Sequence, residues 1–206
     1  GDDNILWSAD IKYRMRPDVV LYGGLLIDDF QFERDGTAPD KLGFDLGGRF
    51  AISGPVPMTV NLHYRYVDIY TYTHRDSLKY HVTGDGDPFA GNFPLGAIEG
   101  PDTDFFKLAA DFYPWPSVTT TGFVSNLRRG EGNDWRAHDR LLDPSPPFPS
   151  GVVERTFSFG LTVLWELRGN SRLGMTVDHS MMKNSDHESG KDIDSTGFRA
   201  FATWDM

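Results

Sequence analysis

Tyr72, His74, Arg75, Tyr80, His81, Asp85, Asp87, Phe89, Phe93, Asp102 and Asp104 fall within one polar stretch, residues 71–104. Aromatic rings offer flat apolar surfaces to the faces of sugars. Carboxylate, guanidinium and imidazole groups hydrogen-bond their hydroxyls. That mixture suits a carbohydrate. The plainer account is a plug folded against the strands that it joins, with Gly100-Pro101-Asp102 as turn chemistry. The two roles are compatible. A second stretch, 128–152, sets Trp135 among Asn133, Asp134, Arg136, His138, Asp139 and Arg140. It suits the same ligand, or else a solvated surface loop. The run Pro144-Ser145-Pro146-Pro147-Phe148-Pro149 reads as a stiff extended spacer.

Other chemistry has little support. Cysteine is absent, which removes disulfides, thiolate metal sites and a Cys nucleophile. Asp85-Gly86-Asp87 and Asp192-Ile193-Asp194 offer oxygens, yet neither continues as a calcium loop, and Asx turns account for both. His74 and His81 lack a third ligand at a diagnostic spacing. No G-x-S-x-G, HExxH or phosphate loop occurs, and nothing singles out a carboxylate pair for glycoside hydrolysis. The reading is a non-enzymatic protein with no cofactor and no metal.

The elements that carry these residues are strands. Ile5, Trp7, Ala9, Ile11, Tyr13 and Met15 are apolar, while Ser8, Asp10, Lys12 and Arg14 between them are polar. With apolar residues at 39% of the chain, six in a row at alternate positions has a chance of about 0.4%. The same period of two recurs over 44–52, 58–66, 106–112, 157–165, 172–178 and 197–205. Two less regular strands are read at 19–28 and 118–127. This predicts nine strands and no helix. Tight connections carrying turn residues fall at 16–18, 53–57, 114–117 and 168–171; long polar ones fall at 29–42, 71–104, 128–152 and 183–195.

Composition narrows the class. The 206 residues suffice for a single domain. Twenty basic against thirty acidic residues give a net charge of −10, which argues against nucleic acid and against a polybasic membrane anchor. The longest nearly apolar run, Val19 to Ile27, is far short of a membrane helix. Gly1-Asp2-Asp3 is no secretory leader, so the sequence reads as a mature form or an excerpt.

Short turns at one end of an antiparallel sheet and long loops at the other is the layout of an outer-membrane β-barrel. A soluble up-and-down barrel would share the alternation with its faces exchanged. Aromatic residues favour the membrane. Tyr13, Phe112, Tyr113, Trp115, Trp165 and Trp204 lie by the tight turns; Trp7, Tyr66 and Phe157 lie by the long loops. The polar face would then line a lumen, with Lys12, Arg14, Arg49, His63, Arg65, Lys107, Arg129, Glu166, Arg172 and Arg199 on it. Two uses are open for these charges: pairing with Asp10, Asp45, Asp111, Asp178 and Asp205, or setting which solutes pass. Nine is odd, and complete barrels of this kind have an even count with both termini periplasmic. The expectation is a single barrel domain, 1–206, that lacks upstream strands; a miscount by one would leave a complete eight-stranded barrel.

Particular blocks carry a resemblance. Asn4-Ile5-Leu6-Trp7-Ser8-Ala9-Asp10, then Leu21 to Phe30 (LYGGLLIDDF), then Tyr70-Thr71-Tyr72-Thr73-His74, Leu95-Gly96 and Gly100-Pro101-Asp102-Thr103-Asp104 follow in order. Over roughly residues 4–113 the chain resembles the capsule-assembly Wzi family. The resemblance implies a monomeric outer-membrane barrel of about eighteen strands, of which nine would be half. It implies a lectin-like role, anchoring capsular or other surface polysaccharide without catalysis. Its ending, Trp204-Asp205-Met206, departs from the terminal Phe or Trp usual in such barrels.

Overall fold

The computed structural model describes residues 6–29, 41–73, 81–82, 93–94, 97, 99–132, 146–167 and 171–204. Nine long strands form one antiparallel sheet: β1 (Trp7–Arg16), β2 (Val19–Asp29), β3 (Lys41–Ile52), β4 (Met58–Val67), β7 (Thr103–Trp115), β8 (Val118–Arg129), β9 (Glu154–Glu166), β10 (Arg172–Lys183) and β11 (Ile193–Thr203). A separate two-stranded pair, β5 (His81–Val82) with β6 (Phe93–Pro94), lies within the longest connection. Each long strand pairs with its sequence neighbours, so the sheet is a simple up-and-down meander. Among the described residues there is no α-helix; a single 3-10 turn spans Ser185–His187. The nine strands and the alternation of short and long connections match the expectation. The last strand starts earlier than expected, because Asp192-Ile193-Asp194 runs into β11, where Asp194 faces Met181.

The sheet is open among the described residues: β1 pairs with β2 alone and β11 with β10 alone. Closure into a barrel is therefore not part of the observed architecture.

The register sorts the side chains into two faces. One row runs Ile11, Gly23, Leu46, Tyr64, Phe106; the next runs Tyr13, Leu21, Gly48, Leu62, Leu108, Val124, Phe159. A third continues from Val60 through Ala110, Gly122, Leu161 and Val177 to Phe198. The apolar positions of all nine strands thus merge into one band. The opposite face carries Asp10, Lys12, Arg14, Asp45, Arg49, His63, Arg65, Lys107, Asp111, Asp178 and Arg199.

Burial runs opposite to that of a water-soluble sheet. Along β9, Phe157, Phe159, Leu161, Val163 and Trp165 are exposed, whereas Thr156, Ser158, Gly160, Thr162 and Leu164 between them are half-buried. Along β10, Leu173, Met175 and Val177 are exposed and Thr176 and Asp178 half-buried. Among the described residues thirty large apolar side chains are exposed and five apolar residues are buried. The small apolar core, Val67, Tyr72 and Ala97 with Leu26 against it, sits at the long-loop end. A monomer in water seldom leaves more than a few hundred Å² of contiguous apolar surface bare. This band spans nine strands with no layer of the described residues upon it.

Candidate functional site

Two regions gather polar chemistry: the roots of the long loops, and the polar face of the sheet. At the loop roots the central residue is Asp102, fully buried with a left-handed backbone (φ 57°). Gly100 (φ 79°) and Pro101 turn the chain into β7 just before it. The Asp102 carboxylate accepts from Gly132 N–H at 2.9 Å, from Ser150 N–H at 3.1 Å and from the Ser150 hydroxyl at 2.5 Å. Its own carbonyl accepts from Gly130 N–H at 2.8 Å. This draws the start of β7 onto both ends of the 130–153 connection. Gly130 is required there, since a Cβ would come within 2.0 Å of Asp102 Oδ2.

Asp104 follows, also buried. Arg128, its direct partner across β7 and β8, holds it bidentately, Nε to Oδ1 at 2.8 Å and Nη2 to Oδ2 at 2.5 Å, and Tyr64 adds a hydroxyl at 3.3 Å. Glu154 opens β9 and is 4% exposed; it accepts from Arg129 Nη2 at 2.7 Å and from Asp186 N–H at 2.9 Å. The 3-10 turn is pinned against β9 in this way. Asn184 and His187, both with positive φ, add bonds to the carbonyls of Val153 (3.0 Å) and Val152 (2.8 Å).

A third anchor serves the longest connection. Tyr72 (φ 63°) donates its N–H to Asp28 at 2.9 Å, and its hydroxyl accepts from Ala97 N–H at 3.2 Å. Burial pushes the Tyr72 phenol above its ordinary pKa, so it stays neutral. Thr71 donates to Leu42 carbonyl and Lys41 to Thr73 carbonyl, both at 2.9 Å. Each of these buried carboxylates has named donors, as removal from water demands. Together they make the loop roots a rigid rim.

Tyr72, Asp102 and Asp104 thus lie in the rim as anchors, with their polar atoms turned to protein groups. His81 lies in β5, opposite Pro94, and Phe93 lies in β6; of their side chains nothing further is described. His74, Arg75, Tyr80, Asp85, Asp87, Phe89, Trp135, Arg136 and His138 lie outside the described residues.

By register Lys12, Arg14, Arg49, His63, Arg65, Lys107, Glu166, Arg172 and Arg199 lie on the polar face, while Arg129 at its loop end is committed to Glu154. Asp45 accepts from Arg65 at 2.9 Å and lies 2.7 Å from His63 Nε2; Arg65 also reaches Glu99 at 2.8 Å. Asp178 stands 3.7 Å from Arg199, and Glu166 3.8 Å from Arg172. Asp111 is held by the hydroxyl of Thr121 at 2.8 Å and by Asn61 at 3.4 Å rather than by a cation. Lys107 stands over the ring of Phe123 at 5.2 Å. Among the described residues Asp10, Lys12, Arg14 and Arg49 form no ion pair. The expected pairing therefore holds for Asp45 and Asp178, not for Asp10 or Asp111, while Asp205 lies outside the described residues. At the loop end of β1–β4 a cavity of about 220 Å³ is lined by Asp10, Gly24, Asp45, Arg65, Tyr72 and Ala97.

The sequence reading missed Arg128, Glu131, Ser150 and Glu154. Arg128 became legible only through the β7–β8 register. Glu131 and Ser150 are joined across the loop, Glu131 N–H donating to Ser150 carbonyl at 3.1 Å, and no spacing rule reveals that. No group of acidic or histidine residues suited to a metal ion occurs among the described residues. No protein-family model, curated protein or solved structure matches the chain.

Proposed function

We propose that this chain is a section of a non-enzymatic β-barrel of the bacterial outer membrane, which binds or anchors surface polysaccharide through its extracellular loops. The observation that carries the reading is the exchange of faces along β9 and β10: Phe157, Phe159, Leu161, Val163, Trp165, Leu173, Met175 and Val177 are bare, while Thr156, Ser158, Thr162, Thr176 and Asp178 are half-covered. Lipid is the solvent in which that arrangement is favourable, at roughly 25 cal/mol per Å² of apolar surface removed from water. The strands, 10 to 13 residues long, suit a tilted crossing of the hydrocarbon layer. Exposed Tyr13, Trp115, Trp165 and Trp204 at the tight-turn ends suit an interfacial belt. In a bilayer the free edges of β1 and β11 need pairing partners, so further strands closing the barrel belong to this proposal. The rim would hold the long loops in fixed positions above the membrane. The likeness to the Wzi family supplies the polysaccharide.

A channel is the second reading. It is favoured by Lys12, Arg14 and Arg49, basic residues that lie on the polar face without an ion partner among the described residues. The test uses the whole protein in capsule-forming cells. Replacing Tyr80 and Trp135 by Ala should release surface polysaccharide while the barrel still folds, judged by its heat-shifted gel mobility. Unchanged retention would overturn the assignment to these loops. Planar-bilayer recordings separate the two readings: silence supports the anchor, and stable salt-dependent conductance supports the channel.

A further inference from the structure

Three aromatic side chains on the polar face stand directly opposite glycines: Tyr22 faces Gly47, Phe123 faces Gly160, and Phe201 faces Gly174. Each ring reaches across the neighbouring strand into the space where a side chain would be. A Cβ would fall 2.1 Å from Tyr22 Cζ at Gly47, 2.6 Å from Phe123 Cε1 at Gly160 and 2.2 Å from Phe201 Cζ at Gly174. Such aromatic–glycine pairs fix strand register. They also lay apolar ring surface along a wall that is otherwise charged and hydroxylated. Phe201 is still 47% exposed.

Phe123 and Phe201 flank one cavity of about 510 Å³, whose floor includes Ser125, Thr162, Asp178 and Arg199. That volume lies within the range of small-ligand sites. The floor is ordered by register: Ser125, Ser158 and Ser180 face one another in sequence across β8 to β10. Thr162 and Thr176 share a hydrogen bond of 3.0 Å, which fixes the two hydroxyls. The 3.7 Å separation of Asp178 and Arg199 leaves the carboxylate and guanidinium free to bond a guest.

We propose that this cavity binds a saccharide unit, its C–H face against Phe123 or Phe201 and its hydroxyls on Thr162, Asp178 and Arg199. An apolar ring surface beside an array of fixed hydroxyls and one split ion pair matches a molecule with one apolar face and a polar edge. A simple anion would need a net positive wall, and Asp178 offsets Arg199 here. The inference rests on the polysaccharide reading above and moves a contact from the loops to the strand wall.

The test is calorimetric titration of the whole protein, folded in detergent micelles, with maltohexaose, cellohexaose and hexagalacturonate. Wild type should bind at least one of them. Phe123→Leu and Phe201→Leu keep the apolar bulk that covers the glycines, and each should weaken binding up to about tenfold through loss of the aromatic surface. Thr162→Val should weaken it less. Lys191→Met, in the turn that precedes β11, should leave it unchanged. Saturation-transfer NMR should show phenylalanine ring protons passing magnetisation to the sugar. Binding by F123L and F201L equal to wild type overturns the inference, as does failure of all three hexasaccharides to bind. Either outcome would spare the loop reading, which the cell-retention assay judges separately.

Discussion

The loop-end rim and the polar wall carry the same residue types and treat them differently. In the rim Asp102, Asp104 and Glu154 are nearly or wholly out of water, and each is met by two or more donors. On the wall Asp178 and Arg199 stand 3.7 Å apart, and Lys12, Arg14 and Arg49 are exposed without an ion partner among the described residues. The physical reason is water. A buried carboxylate without partners costs several kcal/mol, whereas a hydrated charge needs none. Rim charges are therefore committed to architecture; on the wall Asp45 is committed likewise, to Arg65 and His63, while Lys12, Arg14, Arg49 and the Asp178–Arg199 pair remain available to a guest.

The sharpest way to break this contrast is Asp102→Ala. It strands the Gly132 and Ser150 donors and should cost about 4 kcal/mol, at about 1–3 kcal/mol per unsatisfied buried group. Denaturant unfolding from micelles measures it; a loss under about 1 kcal/mol would mean that water replaces the carboxylate. Next comes Arg128→Met, which leaves Asp104 buried and unpaired, at about 3 kcal/mol. Adding Asp104→Asn should recover part of that loss, and a strictly additive double variant would argue against the pair.

The faces of β9 provide a paired comparison. Leu161→Arg, on the apolar band, should destabilise the bilayer-inserted protein by about 2–4 kcal/mol. Thr162→Arg, one residue along on the polar wall, should cost much less. Equal costs in lipid vesicles would remove the argument for an apolar face turned to lipid. Smaller still is Arg49→Ala, expected within about 0.5 kcal/mol of wild type, as for other surface changes; a larger loss would reveal an ion partner for Arg49.

The smallest effect is on pH dependence in the 184–191 turn. Lys191 lies 2.8 Å from Asp186 and 3.1 Å from Glu188. The hydrogen bond from Lys191 holds the Asp186 carboxyl below its ordinary pKa, and hydrogen bonds to Asp186 and Glu188 hold Lys191 above its own. A depressed carboxylate stabilises the fold above its unfolded pKa and loses that contribution as pH falls through the folded value. A raised lysine stabilises below its unfolded pKa and loses that contribution as pH rises through the folded value. Hydrogen-exchange protection of Asn184 and Gly190 should therefore stay level through neutral pH and fall in acid and in strong base. Lys191→Met should flatten both limbs; an unaltered profile would exclude the pair.

Much of the architecture was legible in the chain because period two is a local property. Ile11, Tyr13 and Met15 alternate with Lys12 and Arg14 regardless of what β1 pairs with, and Pro17-Asp18 turns the chain without help. The rim was not legible, for a reason visible in Asp102. Its partners Gly132 and Ser150 lie 30 and 48 residues away, at no spacing that any single element imposes. From sequence Asp102 and Asp104 read as candidate ligand contacts, with a plug and Gly100-Pro101-Asp102 turn chemistry as the other reading, since a carboxylate in a polar loop reveals nothing of its burial. The aromatic–glycine pairs sit between these cases: Phe201 and Gly174 are both plain in the sequence, but only the β10–β11 register sets them face to face.

The sequence by itself determined that this is an all-β meander of nine strands with one apolar and one charged face, because side-chain alternation and turn chemistry act over a few residues. Which carboxylates are buried, which cations stay free and which rings lie over glycine were decided by the tertiary structure. Those outcomes depend on strand register and on loop roots meeting across the sheet, where desolvation, not local propensity, selects the partners.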